Sequence, residues 1–366
     1  MFAKKELMYN LIRPYLFRLD PEIAHERTLK ALRLAGNFAL SRWAMQLLFA
    51  APSKPVDAFG LRFKNPIGIA AGYDKDGVAI RGLSALGFGH VEIGTVTSLP
   101  QPGNPSPRIF RLVEDEAVIN RMGFPSRGSE FMQVELDPSY KANFVERILG
   151  FGRSRTHFKR LSTSAMLGIN LGKNKNTPNE EAVLDYLSLV QNFGRYADYL
   201  AINVSSPNTE GLRDLQSRTA LETLLTTLHQ QRLIEQKTYN KRIPILVKLS
   251  PDMSESELDD AIEAVLRSRM DGIIMTNTTL GREGLSSSQK VESGGLSGSP
   301  LRARSEAVLS QTVKKVNGAV PIVSVGGIMN PDDAKKRLDM GATLIQIYTG
   351  LIYRGPGLVR EILQNI

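Results

Sequence analysis

The stretch Tyr199-Leu200-Ala201-Ile202-Asn203-Val204-Ser205-Ser206-Pro207-Asn208-Thr209 carries the pattern from which the fold can be read. Its first half is apolar and includes a small residue, Ala201, as expected of a strand covered on both faces. Its second half breaks into hydroxyls and carboxamides at the strand end. Pro207 biases Ser206 toward an extended conformation, which sets that hydroxyl on a stiff corner. Taken alone, Ser-Ser-Pro-Asn reads equally well as an ordinary turn. The same texture, a short apolar run closing on polar residues, recurs along the chain. Candidate buried strands lie at 66–70, 91–97, 166–171, 199–204, 244–249, 272–276, 321–325 and 344–348. Helix-like segments at 180–193, 220–237, 255–267, 304–316 and 331–338 separate most of them. Eight strands alternating with helices over about 300 residues is the pattern of an α/β fold, the (β/α)8 TIM barrel. A doubly wound open sheet would use fewer strands. Residues 57–65 read as a short hairpin closing the barrel bottom, and 125–165 as a long basic and aromatic connection suited to a lid.

Residues 1–50 differ in texture and read as a small N-terminal helical domain preceding a barrel domain at 51–366. Leu7, Met8, Leu11, Ile12, Tyr15 and Leu16 recur at helical spacing. Asp20-Pro21-Glu22 offers an N-cap, a proline at the first helical position and an acid in the first turn. A further helix through Trp43 and Leu47 stops before Pro52. The segment carries more large apolar side chains than short helices can bury among themselves. It also holds eight Lys/Arg against four acids, which suits a basic amphipathic surface lying on a membrane. No apolar run is long enough to span a bilayer.

The chain has 366 residues and no cysteine, which removes disulfides, thiolate metal sites and a Cys nucleophile from consideration. His25, His90, His157 and His229 lie far apart without metal-ligand spacing, so no metal site is expected. The net charge of +9 fits nucleic acid, anionic lipid or a phosphorylated ligand. Neither the N-terminal basic segment nor a second basic cluster at 147–160 is interleaved with aromatics on a nucleic-acid module. Nucleic acid is therefore not an expected partner.

The strand ends carry the chemistry. In order they offer Ala71-Gly72-Tyr73-Asp74-Lys75, Thr95, Asn170 with Lys173, Asn203 with Ser206 and Asn208, Lys248, Thr276-Asn277-Thr278, Gly326-Gly327 and Tyr348-Thr349. Carboxamides and lysines with scarcely any carboxylate describe a pocket for something planar, polar and anionic. Two glycine-rich runs read as turns that bring backbone N–H groups to a phosphate: 293–298 after the sixth strand and 325–328 at the end of the seventh. Neither opens as GxGxxG after a first strand, so a dinucleotide fold is disfavoured.

With AGYDK at 71–75, NRMGF at 120–124, GINLGKNK at 168–175, INVSSPNT at 202–209, VKLSPD at 247–252, TNTT at 276–279, SGGLSG at 293–298 and VGGI at 325–328, the chain resembles the dihydroorotate dehydrogenases of the membrane-associated, quinone-using class. The resemblance extends to LDPEIAH in the N-terminal helices. It implies an FMN enzyme of pyrimidine biosynthesis that oxidises (S)-dihydroorotate to orotate and passes the electrons to a quinone. It further implies FMN contacts from Ala70, Ala71, Gly72, Tyr73, Asp74, Lys75, Thr95, Asn170, Asn203, Lys248, Thr276, Gly298, Gly327, Tyr348 and Thr349. Substrate contacts would come from Lys75, Asn120, Arg121, Met122, Gly123, Phe124, Asn203, Asn208, Asn277 and Thr278. Ser206 would be the catalytic base, removing the C5 proton while the C6 hydride goes to flavin N5. The soluble class has Cys there, and this chain has none. His25, Arg111 and Tyr348 would line a quinone path.

Those roles are chemically coherent. A serine hydroxyl is a poor base, so it must be preorganised and must relay its proton onward. Asn carboxamides can polarise the substrate carbonyls, and Lys248 beside the flavin can stabilise the charge that reduction creates. Tyr73 and Asp76 stand where the family more often has Phe and Asn, and Pro125-Ser126 follows NRMGF where an Asn is common. The competing readings are another FMN barrel oxidoreductase with a different substrate or acceptor, and a non-catalytic barrel that binds a membrane surface. The expected location is peripheral, at the cytoplasmic face of the inner membrane. The sequence leaves the oligomeric state open, with a monomer among the options.

Overall fold

A computed structural model describes residues 3–137 and 163–366 of the chain. Three helices open it: α1 (Ala3–Arg18), α2 (Pro21–Asn37) and α3 (Ala39–Leu48). The Asp20 carboxylate accepts from the backbone N–H groups of Glu22 and Ile23, with Pro21 in the first turn, so α2 starts where the cap residues place it. A hairpin of β1 (Val56–Ala58) and β2 (Leu61–Phe63) follows. The barrel then begins with β3 (Ile67–Ile69), α4 (Ile80–Ala85) and β4 (His90–Val96). Next come β5 (Ile109–Leu112), β6 (Ala117–Asn120), α5 (Gly128–Leu136), β7 (Met166–Leu171), β8 (Tyr199–Asn203), β9 (Ile245–Leu249) and β10 (Gly272–Met275). The last strands are β11 (Gly295–Gly298), β12 (Ile322–Val325) and β13 (Leu344–Ile347).

All eight expected strands form, and they close in parallel as β3-β4-β7-β8-β9-β10-β12-β13 and back to β3. Each is buried along nearly its whole length, because helices cover one face and the barrel interior the other. Inside, Ala70, Tyr199, Ala201, Leu246, Ile274, Val323 and Leu344 pack together. Phe59 and Phe63 of the hairpin region plug the bottom, as the reading of 57–65 anticipates. Register does the positioning. Asn203 lies opposite Lys248 and both reach the upper rim, while Asn170, opposite Gly94 and Ala201, sits one layer lower.

One expectation fails. Residues 293–298 are not a turn: Gly295–Gly298 is β11, paired antiparallel with β6, which pairs with β5 in a three-stranded sheet over the barrel mouth. The glycines serve close strand approach. A Cβ on Gly294 would stand 2.3 Å from the Asn120 carbonyl oxygen, and one on Gly298 2.3 Å from that of Glu116. The basic cluster at 147–160 and most of the proposed lid at 125–165 lie outside the described residues.

The N-terminal helices are docked on the barrel by two glycines at one crossing. A Cβ on Gly36 would meet the Gly82 backbone nitrogen at 2.4 Å, and one on Gly82 the Leu32 carbonyl oxygen at 2.2 Å. Ion pairs Glu22–Arg108 at 2.6 Å and Arg33–Glu135 at 3.0 Å tie α2 to the barrel elsewhere along its length. Leu11, Tyr15, Phe38, Leu40 and Trp43 face outward, each more than half exposed. Among the described residues no helix is long and apolar enough to cross a membrane.

Candidate active site and the adjoining tunnel

The upper rim of the barrel opens into one cleft. Ala70, Ala71, Gly72 and Lys75 after β3, Thr95 on β4 and Asn203 with Ser206 and Asn208 after β8 line it. Lys248, Thr276, Asn277, Thr278, Gly298, Gly327, Tyr348 and Thr349 complete one side, and Asn120, Met122, Gly123 and Phe124 close the other. Among the described residues its lining holds no Asp, Glu or His.

Four expected contacts sit elsewhere. Asp74 lies under the loop, its carboxylate accepting from the N–H groups of Val78 at 2.9 Å and Ala79 at 2.7 Å, so it shapes the turn that presents Lys75. Asn170 is fully buried one layer beneath the floor. Tyr73 faces a second cavity. Arg121 turns away, paired with Glu292 at 2.6 Å and stacked over Phe110. Its neighbours Asn120 and Met122 line the cleft, and Arg121 between them turns outward, as alternation in an extended segment requires. Sequence reading also missed Gln346, Ser297, Ile328 and Met329 in the cleft wall. Gln346 was recoverable, since it stands two residues before Tyr348 on β13 and period-two alternation puts both on one face.

The cleft is electropositive by construction. Burial pushes the Lys75 ammonium down to about 8, partly offset by Asp76, and Lys75 Nζ donates to the Gly72 carbonyl at 2.7 Å. Burial also lowers Lys248, opposed by the charge of Glu92 below it. Among the described residues Lys248 Nζ has no hydrogen-bond partner. The Ser206 hydroxyl oxygen accepts from the Asn208 N–H at 3.2 Å, and no carboxylate or imidazole among the described residues bonds to it. Asn208 Nδ2 donates to Asn120 Oδ1 at 3.3 Å, tying the serine loop to the opposite wall. Three features fit a flavin phosphate and ring: the unpaired Lys248, a buried Gln346 Oε1 without a donor, and backbone cradled at Gly326 and Gly327. Both glycines have positive φ, and a Cβ on Gly327 would stand 2.4 Å from Arg302 Cα.

A second cavity of about 260 Å³ runs between the N-terminal helices and the barrel, lined mainly by apolar side chains such as Leu16, Phe17, Leu32, Phe49 and Ile352. Its polar groups are few. The His25 imidazole, pushed down to about 3 by burial and by the Lys75 charge, packs edge-on against Tyr73 with ring centroids 5.2 Å apart. The Arg111 guanidinium donates to the carbonyls of Leu16 and Leu19 and lies over the Phe17 ring. Tyr348, Asn120 and Met122 line both cavities, so the tunnel ends where the cleft begins.

A parallel eight-stranded barrel with lysines, carboxamides and glycine cradles at its strand ends is the layout of an α/β-barrel enzyme with a site for anionic ligands. A family model described as dihydroorotate dehydrogenase matches residues 55–366. A dihydroorotate dehydrogenase (quinone) from Idiomarina loihiensis is 45% identical over 359 residues, covering 98% of this chain and all of the relative. One from Halorhodospira halophila is 45% identical, covering 97% and 96%. Ligand-free DHODH from Eimeria tenella superposes with a TM-score of 0.80 at 40% identity, covering 94% of each chain. The ferulenol complex of the same organism's enzyme gives 0.78 at 38% identity, covering 94% and 90%. The chain belongs to the dihydroorotate dehydrogenase family.

Proposed function

We propose that this protein oxidises (S)-dihydroorotate to orotate in pyrimidine biosynthesis, with FMN as its cofactor and a membrane quinone as acceptor. The observation that carries the reading is the meeting of two lysines, Asn120, Asn203, Asn208, Asn277 and Ser206 in one cleft whose rim opens, at Tyr348, onto an apolar tunnel. Bound FMN would accept the substrate hydride and hand electrons on to the quinone. Lys75 pairs with the substrate carboxylate, and the Asn carboxamides orient and polarise its ring. Ser206 takes the C5 proton and, having no base bonded behind it, passes it to water or a neighbouring group. Lys248 would hold positive charge beside the flavin. Helices α1 to α3 form a domain that rests on the cytoplasmic face of the membrane and admits quinone sideways into the tunnel past His25 and Arg111. Their exposed apolar side chains and net positive charge support that placement.

An anaerobic titration tests the proposal. The purified protein should be yellow, with about one non-covalent FMN per chain, as expected for one cradle in one barrel. Dihydroorotate should bleach it and quinone should restore the colour. FAD, a covalent flavin, or a flavin that dihydroorotate leaves oxidised would overturn it.

A further inference from the structure

Beneath the cleft floor lies an acid that the roles above do not use. Glu92, on β4, is fully buried inside the barrel. Three donors converge on it: Asn170 Nδ2 to Oε1 at 2.9 Å, and Tyr199 OH at 3.0 Å with Gln346 Nε2 at 2.7 Å to Oε2. Burial and the neighbouring Glu92 charge raise the Tyr199 phenol well above its ordinary value, so it stays protonated and donates.

A carboxylate can only accept. The Asn170 atom that faces Glu92 must therefore be its NH2 group, which leaves Asn170 Oδ1 pointing up. That oxygen accepts from Thr95 Oγ1 at 2.6 Å and Asn203 Nδ2 at 3.1 Å. Asn203 Nδ2 also donates to Thr95 Oγ1 at 3.1 Å. Asn203 Oδ1 is left to accept from the Ser205 backbone N–H, the Ser205 hydroxyl and Asn277 Nδ2, each at 3.2–3.3 Å. The backbone N–H of Ser205 can only donate. The chain is thus pinned at both ends, by an acceptor-only group below and a donor-only group above, and each amide between them has one permitted orientation.

We infer that Glu92 is the positioning residue that sets the donor–acceptor polarity of the cofactor floor, acting on Thr95, Asn203 and Asn277 through Asn170. This rests on the FMN reading above and adds a residue to it. Glu92 does not line the cleft and is not a catalytic residue.

Glu92→Gln keeps size and removes the acceptor-only character. The new carboxamide oxygen can take the place of Oε2 and satisfy Tyr199 and Gln346, but its NH2 group then faces the NH2 of Asn170. Flipping Asn170 moves the clash to Asn203, and flipping Asn203 moves it to the Ser205 N–H. Turning the new carboxamide over, so that its oxygen keeps Asn170, faces its NH2 group toward Gln346, which must then flip and present its own NH2 group where the free Oε1 stood. Either one donor faces another or the pattern offered to the cofactor changes. Asn170→Asp alone fails in the opposite sense, because two carboxylates then meet. When Glu92→Gln and Asn170→Asp are combined, the introduced carboxamide donates its N–H to one oxygen of the introduced carboxylate. The other carboxylate oxygen still accepts from Thr95 and Asn203, so the pattern above is restored.

The experiment is this double-mutant cycle, read as FMN dissociation constant of the apoprotein by fluorescence quenching, and as thermal unfolding of each apoprotein without cofactor. Each single variant should bind FMN on the order of tenfold or more weakly, and Asn170→Asp should also unfold at lower temperature, as a protein with unmatched buried polar groups does. The double variant should recover most of both losses. A merely space-filling Glu92 predicts a normal Glu92→Gln and an additive double variant, and either result overturns the inference. Wild-type protein that fails to bind FMN would instead sink the functional reading, while the unfolding cycle still decides the polarity question. If Glu92→Gln does not fold, Asn170→Asp and its rescue by Glu92→Gln carry the same test.

Discussion

Gly36→Ala should separate the two halves of the catalytic cycle. Gly36 is the one buried residue of α2. A Cβ there would sit 2.4 Å from Gly82 N, 2.8 Å from Gly82 Cα and 3.0 Å from Arg81 C. All three are backbone atoms that cannot swing aside. Ordinary contact starts at 3.4 Å, so α2 must withdraw from α4 by about 1 Å. On an isolated helix the same change would favour folding by about 1 kcal/mol, because Ala is the better helix former. Overpacking instead costs about 1–3 kcal/mol, so the sign of the thermal shift distinguishes a packed crossing from a free helix. Residues Ala24, His25, Thr28 and Leu32 of α2 line the tunnel, whereas nothing from α2 lines the cleft. A misplacement of about 1 Å can cost up to about 100-fold in rate, so moving this wall should lower kcat/KM for a long-chain quinone by on the order of tenfold or more. Flavin reduction by dihydroorotate should stay within about twofold, as expected for distant sites. Stopped-flow measurement of the two half-reactions reads both numbers. An unchanged quinone step, or a dihydroorotate step that falls equally, would refute the reasoning.

Ser206→Ala should keep bound FMN yet lose orders of magnitude in flavin reduction by dihydroorotate, and Ser206→Cys should keep some activity with a shifted pH dependence because a thiol ionises nearer neutrality. Near wild-type reduction in Ser206→Ala would place the base elsewhere. With Lys75 held down at about 8, kcat/KM for dihydroorotate should decline as pH rises through that value, since the neutral amine no longer pairs with the substrate carboxylate. Stability runs the other way. Below 8 the buried ammonium is a burden on the folded state, which eases as pH rises from about 8 toward the ordinary lysine value of 10.5. Lys75→Met should raise KM and abolish that limb of the profile; a limb that persists unchanged belongs to another group. Removal of residues 1–50 should leave dihydroorotate-dependent bleaching largely intact while turnover with long-chain quinone and binding to anionic vesicles collapse. Undiminished turnover with membrane-embedded quinone would remove these helices from the acceptor path.

The barrel was legible because burial writes a local signature. Each strand is covered on both faces, so each appears as a short apolar run, and each run ends where the chain reaches the polar rim. The residues at those ends, from Lys75 to Tyr348, could be assembled into one cleft simply because the fold brings every strand's C-terminal end to the same side. The mouth sheet was not legible. Gly294, Gly295 and Gly298 look like turn residues. Gly294 and Gly298 permit the approach of β11 to β6, a partner 175 residues away at the Asn120–Gly295 contact, and Gly295 that of Thr278. Arg121 sits within a run of cleft residues and points outward, a choice made by Glu292 and Phe110.

Glu92 marks the boundary most clearly. In sequence it is one acid in an apolar strand, with nothing nearby to suggest a partner. Its three partners come from β7, β8 and β13, the last of them 254 residues away. Short apolar runs closing on polar residues report where buried strands lie and where they end, so the chain alone pointed to the barrel, its rim and most of the residues around the cleft. Which polar groups meet inside the barrel depends on the register of strands brought together by closure, and only the tertiary structure decided that Glu92 would lie under Asn170 or that Gly36 would cross Gly82.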